Sequence, residues 1–446
     1  MFDPQPVLAQ LQCRPAGQTL WVGFSGGMDS IVLSHFLCQH AADLPGPLHL
    51  IHVNHQLQDA ATQWAIHCQS FAASYDLPFT LLTIEVSDSA EKGLEAAARD
   101  ARYQAISQHI GDGAQLITAH HCQDQAETLM LQLLRGAGVR GLSGMGNLGK
   151  WQKIAILRPF LSVDRHQLHA YAQQHHLDWV TDPSNANLRF QRNYLRKQVF
   201  PMLSARWRSV HQTLSRSAAH LAEAQQILDE VAQVDAKVIN IDWQQSRLPI
   251  TPLLQLPVPR QKNLLRWMAY QLGVSMPSQT QLDYLLNTMC LAQQDAMPLL
   301  ALSGVTVRRF SDALYFVDDK MPMPQNWQVT LHRPESVVLP DGRKLEWQSR
   351  QGAGIRANVF DNGLVLKCRQ GGERIRLAGH AHHQRLKICL QQWQVPPWQR
   401  SEMPLVFADT ELIAVADYAV SEVVCATSTE SGWWPTVLPA TAQDFN

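Results

Sequence analysis

Over its first 180 residues the chain alternates short apolar, β-branched runs with longer stretches of helical period, and this constrains it more than any other feature. Thr19–Ser25, Leu48–His55, Phe79–Val86, Gln115–His120 and Ile154–Leu157 read as strands. Met28–Gln39, Asp59–Tyr75, Leu94–Ile110, Gln123–Leu134 and Asp164–His176 read as helices. Such alternation predicts an α/β fold, a parallel sheet with helices on both faces. Ligands of these sheets bind beyond the carboxyl ends of the strands.

The pattern changes after residue 215. Ser215–Val238 reads as a long connector helix, residues 249–300 as helical, and Val305–Val317 as strand-rich. The run MPMPQNW at 321–327 reads as a boundary. Beyond it short strands surround one helical segment, His383–Trp393, and the polar tail after Ala426 reads as disordered. With 446 residues, about three domains are expected. They are placed at 1–215 (α/β), 216–325 (mainly helical) and 326–446 (small, mixed α+β).

Composition removes several classes. Charged residues make up 17% and apolar residues 46%, which excludes a disordered, charge-rich chain. No apolar run approaches the ~18 residues of a membrane span, and the N-terminus lacks the basic start and apolar block of a signal peptide. A cytoplasmic protein without a membrane partner is the expectation; a homo-oligomer stays open. None of the eight cysteines sits in a Cys-x-x-Cys pair, which argues against a zinc ribbon, a thioredoxin-type site or a locally ligated iron–sulfur cluster. Reduced, mostly buried thiols are expected. His380-Ala-His382-His383 lacks a cysteine or carboxylate at ligand spacing and reads as ordinary histidines.

The near-neutral total, −1, hides an asymmetry. Residues 183–222 hold seven basic residues and no acidic one: Arg189, Arg192, Arg196, Lys197, Arg206, Arg208 and Arg216, with Tyr194 and Trp207 among them. The block is either a polyanion contact or a solvated helix face.

Three glycine motifs compete as phosphate loops. Gly136-Ala-Gly-Val-Arg-Gly141 follows a helix, not a strand, and fails as a dinucleotide fingerprint; it reads as a flexible loop that closes on a ligand. Gly144–Trp151 nearly fits a Walker loop, but Trp151 stands where a hydroxyl is needed. Ser25-Gly-Gly-Met-Asp-Ser30 lies where the first strand meets the first helix. Its glycines let backbone amides wrap an anion, its serines add donors, and the helix N-terminus adds partial positive charge. A capped helix start alone explains Ser and Asp but not two consecutive glycines.

This Ser-Gly-Gly-x-Asp-Ser turn resembles the PP-loop of N-type ATP pyrophosphatases. The resemblance implies that Ser25, Gly26, Gly27, Met28, Asp29 and Ser30 bind ATP, which is split between its α and β phosphates. His120-His-Cys-Gln-Asp-Gln-Ala-Glu-Thr128 runs off the fourth strand into a helix, where Asp124 and Glu127 at i,i+3 share a face. With Leu134–Met145, Arg158-Pro159, Asp182–Asn185, Arg192–Arg196, Arg369–Arg376 and Val395–Arg400, the set resembles the tRNA(Ile)-lysidine synthase family.

That family joins free L-lysine to C2 of the wobble cytidine in the CAU anticodon of tRNA(Ile), at the expense of ATP. The implied catalytic residues are Asp29, Asp124 and Glu127. Asp124 and Glu127 would hold magnesium or the lysine ammonium, with Asp124 the metal candidate. Arg189, Arg192, Arg196, Lys197, Arg206, Arg208, Arg369, Arg374, Arg376 and Lys387 are the implied tRNA contacts. The rivals are another PP-loop enzyme such as a tRNA thiolase, for which Cys122 is the nearest sulfur, and a non-catalytic tRNA- or nucleotide-binding module.

Overall fold

The computed structural model describes residues 2–56, 60–84, 94–293, 296–319, 323–324, 326–380 and 382–438. Asp59, residues 85–86 and parts of the 321–327 run, for which sequence expectations were stated, lie outside the described residues. The chain forms two compact units, Met1–Glu230 and Val231–Asn446.

The first unit opens with α1 (Gln5–Gln12), β1 (Leu20–Gly23), α2 (Met28–Gln39), β2 (Leu48–Asn54), α3 (Ala61–Ser74), β3 (Phe79–Thr83), α4 (Leu94–Ile110) and β4 (Gln115–Ile117). It continues with α5 (Cys122–Leu134), α6 (Val139–Leu142), β5 (Leu148–Trp151), β6 (Ile154–Leu157) and α7 (Arg165–Gln174). The strands order as β3-β2-β1-β4-β6-β5. All neighbours are parallel except β5, which returns antiparallel against β6. This edge strand was absent from the sequence expectation. It occupies the near-Walker segment, which is therefore one arm of a hairpin.

Side chains alternate across the sheet as the pleat requires. Leu20, Val22, Leu50 and Ile117 enter the core shared with α1, α2, α3 and α7. Trp21, Ile51 and Leu116 turn the other way, toward Tyr103 and Ile106 of α4. Strand order reverses at β1, whose neighbours β2 and β4 lead to opposite edges, and a crevice at its carboxyl end is the expected ligand position. The Ser25–Ser30 loop lies there. After α7 come α8 (Gln191–Tyr194), a wide turn at Leu195–Val199, α9 (Phe200–Arg206) and α10 (Val210–Ile239).

In the second unit, β7 (Arg247–Pro249), α11 (Ile250–Gln255), α12 (Val258–Gln271), α13 (Gln279–Tyr284), β8 (Leu299–Leu302), β9 (Val305–Phe310) and β10 (Ala313–Asp318) come first. The strand-rich stretch expected at 305–317 is the centre of a four-stranded antiparallel sheet, β7-β10-β9-β8, packed through Val307, Leu314 and Phe316 on Leu264, Leu265, Met268 and Met289.

The remainder holds β11 (Gln328–Leu331), β12 (Val337–Val338), β13 (Lys344–Gln351), β14 (Ile355–Arg356), β15 (Leu364–Cys368), β16 (Arg374–Ile375), β17 (Gln384–Arg385), α14 (Leu386–Gln392), α15 (Pro397–Arg400), β18 (Pro404–Ala408), β19 (Glu411–Val415), β20 (Ala419–Val420) and β21 (Ser431–Leu438). Sheets β11-β15-β18-β19-β20 and β12-β13-β21-β14 share one core of Leu345, Ile355, Leu366, Val406 and Ile413. Residues 431–438, expected to be disordered, instead pair with β13 along eight residues. Pro435 fits because β14 pairs only with Gly432 and Trp433, so the missing N–H of Pro435 lies beyond that ladder.

Candidate active site

The loop between β1 and α2 is shaped by contacts that consume its carbonyls. Phe24 O meets His52 Nδ1 at 2.7 Å, Gly26 O accepts from Val180 N at 2.9 Å, and Gly27 O accepts from Ser30 Oγ at 2.9 Å. Ser25 Oγ lies 3.1 Å from Ser30 Oγ. Gly26 has φ +77, and a Cβ there would stand 2.9 Å from Cys68 Sγ, so conformation and space both require glycine. Gly27, extended, caps α2 without a side chain. The first amides of α2 (Met28, Asp29 and Ser30) have no intrahelical carbonyl to meet, which makes this end of the helix an anion cradle.

A chain of charges leads from the loop. The buried His121 ring, at the N-terminus of α5, brings Nε2 within 3.5 Å of Asp29 Oδ2 and 3.4 Å of Asp124 Oδ2. Asp124 Oδ2 also accepts from His121 N at 3.1 Å, completing a capping box. One turn further along the same face of α5, Glu127 is 1% exposed and takes both ends of a guanidinium, Arg196 Nε at 2.7 Å and Nη2 at 2.9 Å. Arg196 Nη2 reaches Asp124 Oδ1 at 3.3 Å as well, and Arg192 Nε approaches Glu127 at 3.2 Å. Arg165, starting α7, stands 3.6 Å from Asp29 Oδ1.

The electrostatics separate the two carboxylates of α5. Burial alone would raise Asp124, but His121, His120 and the guanidiniums outweigh it and hold the carboxyl at about 2. Burial pushes Glu127 upward against the hydrogen bonds of Arg196. Burial disfavours the charged form of His121, yet Asp124 and Asp29 prevail and keep it above the ordinary histidine value. Next to it, burial drives His120 down to about 4. The result is one firmly ionised carboxylate and one more basic carboxylate a single helical turn apart.

Glu127 and Arg196 also wall a cavity of about 360 Å³, with Gln123, Asp164, Arg165 and His211 among its other lining residues. Its lining mixes acidic side chains, Glu127 and Asp164, with basic ones, Arg165 and Arg196.

A PP-loop domain family model matches residues 5–203, a TilS substrate binding domain matches 248–315, and a TilS substrate C-terminal domain matches 364–438. The chain is 37% identical over 440 residues to a tRNA(Ile)-lysidine synthase of Coxiella burnetii, covering 98% of this chain and 97% of that protein. It is 38% identical to those of Edwardsiella ictaluri (94% and 95% covered) and Serratia proteamaculans (91% and 92%). The chain belongs to the tRNA(Ile)-lysidine synthase family.

The structure sorts the basic residues that the lysidine synthase resemblance nominated for tRNA. Arg192 and Arg196 turn inward to the carboxylates of α5, with Arg192 Nη2 also donating to Thr128 Oγ1 at 2.9 Å. Arg189, Lys197, Arg206 and Arg208 stay exposed, as do Tyr194 and Trp207. In the second unit Arg369 lies 3.4 Å from Glu373 and Arg376 lies 3.9 Å from Glu422, whereas Arg374 and Lys387 are exposed. The glycine segment 136–141, expected to be a flexible closing loop, is a short helix start continued by a stitched turn: Gln125 donates to Met145 O at 2.9 Å and accepts from Met145 N at 2.8 Å.

Sequence reasoning missed His121 and Arg165. The His-His doublet at the end of the fourth strand signalled the first. Nothing local signalled Arg165, which reaches Asp29 only because α7 packs beside α2.

Proposed function

We propose that this chain joins free L-lysine to C2 of the wobble cytidine in the CAU anticodon of tRNA(Ile), through an adenylated base, releasing pyrophosphate and then AMP. The observation that carries this reading is the continuous path from glycine loop to cavity: Asp29, His121 and Asp124 linked at 3.5 and 3.4 Å, then Arg196 and Glu127 on the cavity wall.

Ser25, Gly26, Gly27, Met28 and Ser30 hold the ATP phosphates, leaving the α-phosphorus open to the C2 oxygen of the base. That oxygen displaces pyrophosphate and leaves as AMP when the lysine amine adds at C2. No enzyme nucleophile is needed; the chain orients three substrates and offsets charge. The cavity seats lysine, its ammonium against Glu127 and its carboxylate toward Arg165. Glu127, pushed up by burial, is the group suited to take the amine proton.

Magnesium fits the donor set as a shared ion. Asp29 Oδ1 is buried without a hydrogen bond, and Asp124 is its ionised neighbour across His121. One or two carboxylates plus phosphates is the usual magnesium complement. The ion would supply charge neutralisation on the departing pyrophosphate.

Arg189, Lys197, Arg206 and Arg208 contact the tRNA backbone near the anticodon, with Tyr194 and Trp207 beside them for unstacked bases. Arg374 and Lys387 contact it from the second unit; Arg369 and Arg376 act through the loop they hold. The division at 215/216 and 325/326 belongs to the same proposal, supported by separate cores. So does a cytoplasmic setting, supported by eight free cysteines and, among the described residues, no helix long and apolar enough to cross a membrane. Thiolation is disfavoured: burial raises Cys122 to about 11 and Cys68 to about 12, leaving no thiolate beside the loop.

Incubating the protein with ATP, labelled lysine and tRNA(Ile), followed by nucleoside analysis, tests the reading. Labelled lysidine at the wobble position is expected, with AMP and pyrophosphate in equal amounts. Unmodified tRNA, or ADP as product, sinks it.

A further inference from the structure

Helices α2 and α7 meet at two points with the same sequence offset. Asp29 and Arg165 stand 3.6 Å apart, His35 Nδ1 and Tyr171 Oη 2.9 Å apart, and 136 residues separate the partners in each pair. The helices therefore run parallel and in register. The second contact lies six residues along, about 9 Å at the usual rise of ~1.5 Å per residue.

The second contact is unlike its surroundings. From Met28 to Leu37 α2 is almost wholly buried, among Ile31, Val32, Leu33, Phe36 and Leu37. Apolar contacts of this kind tolerate small slides. A buried hydrogen bond does not, because a displaced partner would leave an unmet polar group. Tyr171 is itself buried, its ring 4.3 Å from His175, which in turn lies 4.8 Å from the ring of His35.

Both helices begin at the site. Gly27 is the cap of α2, so no slack separates the helix from the phosphate loop. Asp164 caps α7, and Arg165 N donates to Gln123 Oε1 at 2.9 Å, tying that start to the α5 segment that carries Asp124 and Glu127.

We infer that His35 and Tyr171 are positioning residues: their hydrogen bond sets the register of α2 against α7, and through it the placement of the phosphate loop and Asp29 relative to Arg165 and α5. Both side chains are buried, and neither lines the cavity. The inference rests on the function proposed above.

The test is steady-state pyrophosphate release by the full chain with tRNA(Ile), ATP and lysine, run well below the melting temperature. Tyr171→Phe keeps the ring and loses the hydroxyl; His35→Leu removes its partner. Each is expected to lower kcat about tenfold, within the range that a misplacement of up to an ångström produces, with the KM for tRNA unchanged. The double variant should be no slower than either single one. His35→Asn, which can place a polar atom near the former Nδ1, should recover most of the loss. Variants that melt earlier yet turn over like the parent overturn the inference, as does a double variant whose losses multiply. A parent chain that releases no pyrophosphate defeats the proposed function instead.

Discussion

Two stretches of this chain look alike in sequence and behave differently in space. Residues 189–208 and 369–387 are both arginine-rich, and both invite a nucleic-acid reading. In the first, Arg192 and Arg196, themselves half-buried, close on Glu127, which is 1% exposed, while their neighbours remain in solvent. In the second, the inward partner is Glu373, whose Oε1 also accepts from the amides of Gln370 and Gly371 at 2.6 Å. The first set of pairs lines the proposed reaction centre; the second holds a loop. A count of positive charges reports neither, because it does not say which acid the fold brings opposite.

The contrast can be broken by substitution. Asp29→Ala should lower pyrophosphate release a hundredfold or more, the scale of losing one preorganised charge in an active site. tRNA affinity by filter binding should stay within twofold; a parallel loss of binding would erase the distinction between centre and surface. Arg196→Ala leaves Glu127 buried with a single guanidinium, and a stability loss of about 3 kcal/mol by urea unfolding is expected. An unchanged midpoint would make Arg196 a surface residue after all.

Replacing Arg189, Lys197 and Arg206 together by Ala should leave the urea midpoint where it was. It should flatten the salt dependence of tRNA binding by about 2 in log–log slope, roughly 0.7 per single-strand contact. An unaltered slope would identify these residues as a solvated face.

The two regions should also part on acidification. Burial lowers His35 and His52, and His120 to about 4, so at these groups the unfolded chain binds more protons than the first unit between pH 6.5 and about 4, with the raised His121 and Glu127 opposing them. Stability from these groups is present above pH 6.5 and drains through that window. In the second unit burial raises Glu402 and Asp417, so these two groups take up protons before the unfolded chain and act in the opposite sense, while Asp283 and Glu430 are held below the ordinary range by their hydrogen bonds. The urea midpoint of the first unit should fall between pH 7 and pH 5; a midpoint that rises over that interval would refute the sign. The smallest effect is expected from Arg369→Ala against Arg374→Ala. Arg374→Ala should weaken tRNA binding two- to threefold without changing proteolysis of the 369–376 loop, and Arg369→Ala the reverse.

Much of the first unit was legible because its signals are local. Helix α2 begins at Met28 and ends at Gln39 as expected, since a glycine turn opens it and an apolar run carries it. Helix α4 and strand β6 likewise keep their expected limits. Strand β5 escaped notice because Leu148-Gly-Lys-Trp151 is too short and too polar to announce itself; it exists by pairing with β6. The last strand, Ser431–Leu438, escaped because Pro435 interrupts it and its partner, β13, lies some 80 residues earlier.

What the residue order determined by itself is the chemistry available: a glycine turn after a buried strand, two carboxylates one helical turn apart, and a block of cations without acids. What only the tertiary structure decided is which of these meet. The pairing of Arg196 with Glu127, of His121 with Asp29 and of His35 with Tyr171 each spans at least 69 residues of chain. Such contacts are set by how helices dock on a sheet, and local propensity carries no information about a partner that far away.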